Sequence, residues 1–114
     1  MKIIIPCKII PWNQLIGKHW SVVKRVKDEL AKATLAELIK NKIKPHKTFP
    51  CTVHFHIRWK EKRRHDIDSV CVKHALDQII RMEIVPDDSL EYIERVIYTG
   101  ETGCERDEVE ITIE

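Results

Sequence analysis

The stretch RRHDIDSVCVKHALDQIIRMEIVPDDS, Arg63 to Ser89, sets four carboxylates around one apolar segment: Asp66 and Asp68, one residue apart, and the adjacent pair Asp87 and Asp88. Clustered carboxylates repel one another, so such a gathering calls for a cation or for solvent around each group. In an extended segment the i, i+2 spacing turns Asp66 and Asp68 to one side, where they can share one ion. Ligands that are all oxygen favour hard divalent cations, Mg2+ or Mn2+, which keep several waters and bridge to phosphate. The basic residues Lys60, Lys62, Arg63 and Arg64 lead straight into Asp66. Ordinary roles compete with each of these readings: Asp68 as a helix cap, Asp87-Asp88-Ser89 as turn chemistry, and Lys73 as the i,i+4 partner of Asp77. His54 and His56 share a strand face that suits solvent or phosphate, with a transition metal as the alternative. No Ser-His-Asp arrangement, glycine-rich phosphate loop or zinc motif is present.

The elements that must position these residues follow from periodicity. Lys2 to Ile10 reads as a strand, with Pro6 marking an edge position or a bulge. From His19 or Trp20 to about Lys44, Val23, Val26, Leu30, Ala33 and Leu38 recur at helical spacing, and Pro45 ends the helix. Cys51 to Lys60 alternates: Cys51, Val53, Phe55, Ile57 and Trp59 form a core face, and Thr52, His54, His56, Arg58 and Lys60 form the other. A second helix is expected from about Ser69 to Met82, capped by Asp68 or Ser69, with Val72, Ala75, Leu76, Ile79 and Ile80 as its buried stripe. Such a helix spans about 20 Å, too far to join the two acidic sites by itself. Bringing them together requires the VPDDS turn to fold back across the sheet, or a two-fold partner to contribute. Leu90 to Thr99 and Glu108 to Ile113 read as two further strands. The order β-α-β-α-β-β describes a single α+β domain over residues 1–114, with two helices packed on a mixed four-stranded sheet.

Composition agrees with one folded domain: 114 residues, 43% hydrophobic and 33% charged. The formal net charge of +2 conceals a partition. Residues 1–65 hold 16 Lys and Arg against 4 Asp and Glu, whereas residues 66–114 hold 4 against 14, so the sign reverses at His65-Asp66. A basic half that neutralises phosphate and an acidic half that takes hard cations together suit an enzyme of nucleic acid, and charges that merely face water suit the alternative. The four cysteines, far apart and without a CxxC pair, read as free thiols. There is no apolar run of membrane-spanning length and no signal-peptide pattern, so the expectation is a soluble cytoplasmic protein with no membrane partner.

The ordered residues RRHDIDSVCVKHALDQII followed by VPDDS resemble the RusA family of Holliday junction resolvases, common in phages and prophages. In that family a basic stretch leads to an Asp-x-Asp pair, then a helix carrying a Lys and an Asp-Ala-Leu segment, then an Asp-Asp turn before a strand. Asp66 and Asp68 match the pair, Lys73 the lysine, Asp77 the acidic helix position, and Asp87-Asp88 the turn, with Asp88 favoured as the essential acid. Ser69 stands where Asn is common, and one extra residue separates Asp68 from Lys73. The match covers about a quarter of the chain.

The resemblance implies a Mg2+-dependent endodeoxyribonuclease that resolves four-way DNA junctions in recombination and repair, as a homodimer making paired symmetric nicks. Asp66, Asp68 and Asp88, with Asp87 adjacent, are then the metal-binding acids and Lys73 the charge-stabilising cation. Lys60, Lys62, Arg63 and Arg64, with Lys24 and Lys27 of the first helix, contact phosphates without reading bases. The alternatives are a related nuclease of other branched nucleic acids, a non-catalytic DNA-binding accessory protein of phage, and a zinc module using His54 and His56.

Overall fold

The computed structural model describes residues 1–114. Its elements are β1 (Lys2–Ile5), α1 (Trp20–Lys40), β2 (Cys51–Arg58), α2 (Lys73–Arg81), β3 (Ile93–Glu101) and β4 (Glu108–Ile113), with single 3₁₀ turns at Trp12–Gln14 and Ile67–Ser69. The expected α+β order is present, and the four strands form one mixed sheet in the order β1-β4-β2-β3. β1 and β2 flank β4 antiparallel, and β3 runs parallel to β2 at the sheet edge. A parallel pair needs a crossover rather than a hairpin, and the segment carrying α2 is that crossover.

Alternation along the strands decides the two faces. Val53, Phe55 and Ile57 of β2 are fully buried, in register with Ile113, Ile111 and Val109 of β4. Ile3 and Ile5 of β1 continue this apolar face, and Leu30, Leu38, Ala75 and Ile79 cover it from the two helices. The opposite face, with His54, His56, Arg58, Thr99, Glu101 and Glu110, carries no helix. Thr34, buried within α1, satisfies its hydroxyl by donating to the Leu30 carbonyl at 2.7 Å.

Several boundaries differ from expectation for local reasons. β1 stops at Ile5, where Pro6 has no N–H to extend the ladder. His19 caps α1 through its ring, which accepts from the Ser21 N–H. The helix ends at Lys40, before Pro45, because Lys42 adopts a left-handed φ of 49°. β3 is displaced toward the C-terminus because Ser89–Tyr92 is a turn in which the Ser89 carbonyl accepts from the N–H groups of Tyr92 and Ile93.

The largest correction concerns α2, which begins at Lys73 rather than Ser69. Val70 is extended and Val72 is buried in the core, so the two β-branched residues that would fill the first turn serve as a non-helical lead-in. The expected caps Asp68 and Ser69 therefore lie outside the helix; its N-cap is Val72, with no side-chain hydrogen bond. At nine residues α2 spans about 13 Å.

Candidate active site

β2 ends at Arg58, and the basic run forms the loop that leaves its carboxyl end, the position in open α/β sheets from which ligands are commonly bound. Asp107 and Cys104 of the C-terminal half hold this loop down. The Lys60 N–H donates to Asp107 Oδ1 at 2.9 Å, and the Cys104 N–H donates to the Trp59 carbonyl at 3.1 Å. The aliphatic stem of Lys62 lies on Gly103, where an added Cβ would come within 2.8 Å of Lys62 Cε; the φ of +70° there also favours glycine. Lys60, Lys62, Arg63 and Arg64 remain exposed, with Arg63 beside Glu61 at 3.2 Å and Arg64 beside Asp66 at 3.5 Å. Lys8 also reaches Glu61, at 3.2 Å, and shares a recess with Lys27 of α1. The basic loop and the α1 lysines are thereby connected across the surface. Lys24 pairs with Asp28 at 2.8 Å, and Lys27 stands 5.3 Å over the ring of Trp12.

Asp66 and Asp68 occupy a 3₁₀ turn rather than the extended segment expected from their spacing. Asp66 is its N-cap in extended conformation, and Asp68 lies inside it. At three residues per turn, positions two apart point in different directions, so the expected same-side pairing is not present. Asp66 is drawn to Arg64, and Asp68 is exposed without a hydrogen-bonded or ion-paired partner.

On the far side of α2 the chain does fold back. Glu83, at φ 59°, ends the helix, and the Ile84 N–H donates to the Ile79 carbonyl at 3.0 Å. Ile84 and Val85 then plug the core and return the turn toward the start of α2. Asp88 and Lys73 consequently line one cleft of about 330 Å³, floored by Phe55 and walled by Val70, Leu76, Val96 and Tyr98. Burial, with Cys71 nearby, raises the Tyr98 hydroxyl above its ordinary pKa. Lys73 retains its helix partner Asp77 at 3.4 Å, and Asp87 is exposed outside the cleft lining.

The two acidic groups remain apart within one chain. Ile67, in the Asp66–Asp68 turn, packs over Gly100 of β3, whereas Asp88 lies beside Val96 and Tyr98. Two to four strand residues separate those levels, on the order of 10 Å. No three His, Cys, Asp or Glu side chains come together in a metal-holding arrangement. In donor type and access, Asp66, Asp68 and Asp88 fit a hard cation of the kind bound through one or two carboxylates plus substrate phosphate. They do not form a three-carboxylate cage.

His54 and His56 are committed elsewhere. Thr99 Oγ1 lies 2.6 Å from both His54 Nε2 and His56 Nδ1, and His56 Nε2 lies 3.1 Å from Glu101. Glu101 only accepts, so His56 Nε2–H donates to it, and the Thr99 hydroxyl links the two rings. Arg58 completes the network with Glu101, Glu108 and Glu110. Hydrogen bonds from His56 and Arg58 hold Glu101 below its ordinary pKa. Burial disfavours charge on Arg58, yet Glu110, Glu101 and Glu108 together raise its pKa. The histidines belong to this network on the open sheet face.

Sequence reasoning missed two contributors. His65 stacks on Trp59 with ring centroids 4.3 Å apart and planes within 2°, fixing the backbone immediately before Asp66; neither of its enclosed ring nitrogens has a hydrogen-bond partner. Tyr98, read only as a strand residue, walls the Lys73–Asp88 cleft. Its place at the even positions of an edge strand was the available signal.

No protein-family model matches the chain, and no curated protein matches it.

Proposed function

We propose that the protein is a Mg2+-dependent endodeoxyribonuclease of branched DNA, acting on four-way junctions as a homodimer in the manner of the RusA family that its motif resembles. The observation that carries the reading is the return of the VPDDS turn toward α2, which brings Asp88 and Lys73 into the lining of one cleft. The non-helical lead-in over residues 70–72 also supports it. It absorbs the extra residue before Lys73, which becomes the first helical residue instead of being rotated within the helix.

In this reading Asp66, Asp68 and Asp88 would be the ligands of the cation, with Asp87 adjacent. When bound, Mg2+ supplies an activated water and neutralises charge on the phosphate. The chain's own residues do the rest. Lys60, Lys62, Arg63 and Arg64 hold phosphates at the carboxyl end of β2, and Lys24 and Lys27 extend that track along α1. Lys73, at the rim of its cleft, places a positive charge where negative charge develops on the scissile phosphate.

Offering labelled four-way junctions, flaps, forks and RNA hairpins in parallel tests the substrate class. Preferential, paired nicking of the four-way junction is expected. Equal cleavage of flaps or RNA would replace it with a related nuclease, and salt-sensitive binding without cleavage of any substrate would favour the non-catalytic accessory protein.

A further inference from the structure

β3 is an edge strand with an open outer side. The Glu101 carbonyl accepts from Trp59 across the β2 ladder, so alternation turns the N–H and C=O groups of Val96, Tyr98 and Gly100 outward. Beyond β2 no backbone group pairs with them. Their side-chain positions lie on the helix face, where Val96 and Tyr98 are 39% and 44% exposed. A nine-residue open edge with exposed apolar side chains is a template for strand addition.

The charges along β3 are self-complementary in one antiparallel register. With Tyr98 on a two-fold axis, Val96 pairs with Gly100 of a second copy through the outward backbone groups. Arg95 then faces Glu101 of that copy, twice per pair. Arg95 has no ion-pair partner within its own chain. Centring the pairing on Ile97 instead would set Arg95 opposite Thr99 and lose both charge pairs.

The same register acts on the incomplete carboxylate site. Asp88 and Lys73 share their cleft with Val96 and Tyr98, and Ile67 of the Asp66–Asp68 turn sits over Gly100, both on the helix face. We infer that two copies join through antiparallel pairing of their β3 edges around Tyr98, forming an eight-stranded sheet. One copy's Asp66–Asp68 turn then comes to the side of the other's Lys73–Asp88 cleft, the two edge strands lying about 4.8 Å apart. This rests on the nuclease reading for what the composite site does, but the pairing itself does not.

Crosslinking tests the register. Under mild oxidation Tyr98→Cys should give a disulfide-linked dimer, since an on-axis hydrogen-bonded pair has Cα atoms about 5.5 Å apart. Val96→Cys and the unmodified chain, oxidised in parallel, should not. Arg95→Glu should weaken self-association about tenfold by setting like charges opposite one another. A sedimenting dimer without the Tyr98→Cys crosslink, or a chain that stays monomeric at tens of micromolar, overturns the inference.

Complementation tests the shared site. In mixed dimers of Asp68→Asn and Asp88→Asn chains, one composite site keeps every carboxylate, so nicking should return although each variant alone is inactive. Sites confined to one chain predict no recovery, which would overturn the sharing. If the Tyr98→Cys chain crosslinks as expected but the unmodified chain cleaves no junction, the nuclease reading fails and the pairing stands.

Discussion

Asp68 is available to a ligand, because it is exposed and unpaired, whereas Asp66 is drawn toward Arg64. Asp68→Asn keeps the shape of the turn and removes the charge. It should lower cleavage by at least about a hundredfold, while DNA binding, carried by the basic loop, changes little. Glu101 allows a separate prediction. Its pKa is lowered in the fold by hydrogen bonds from His56 and Arg58, so its contribution to stability is present above the ordinary carboxylate pKa and is lost as pH falls through the depressed one. Thermal melts of the unmodified chain and of Glu101→Gln should therefore differ most near neutral pH and converge in acid. A difference that persists unchanged in acid would contradict the assignment. These residue types were legible in the sequence as acids and bases; their partners were not, because Thr99 and Glu101 lie more than forty residues from the histidines and meet them only through the sheet.

At the scale of elements, the order of helices and strands along the chain and the buried alternation of β2 were legible, because a period of two survives any tertiary context in which one face is core; the sheet order β1-β4-β2-β3 was not. The start of α2 was not. Helical spacing of Val72, Ala75, Leu76 and Ile79 continues smoothly into a lead-in that the core needs extended, and periodicity cannot see that Val72 is buried ahead of the helix. The fold-back of the acidic turn was equally hidden, since it depends on Ile84 and Val85 plugging the core. Two stability measurements check this account. Phe55→Ala should cost about 3–5 kcal/mol in urea unfolding, because the ring is fully buried in the core under the cleft. Glu83→Gly should stabilise by about 0.5–1 kcal/mol, since a left-handed φ of 59° strains a residue with a Cβ more than the added chain freedom costs.

For the whole molecule, the charge partition read from the sequence takes a specific form in the fold. The acidic C-terminal half does not face away from the basic half; Asp107 and the Gly103 turn support the loop that displays Lys60, Lys62, Arg63 and Arg64. No helix is long and apolar enough to cross a membrane. Phosphate contact by this loop predicts strongly salt-dependent DNA binding. Replacing Arg63 and Arg64 together by Ala should reduce the slope of log affinity against log salt by about 2 on duplex arms, with no change in base preference.

The most direct measurement is incubation of the purified chain with an end-labelled four-way junction and Mg2+, alongside Asp68→Asn. The expected result is paired nicks in opposing strands from the unmodified chain and their loss from the variant. An intact junction that is nonetheless bound by the protein, or nicking that Asp68→Asn leaves undiminished, would contradict the proposed active site.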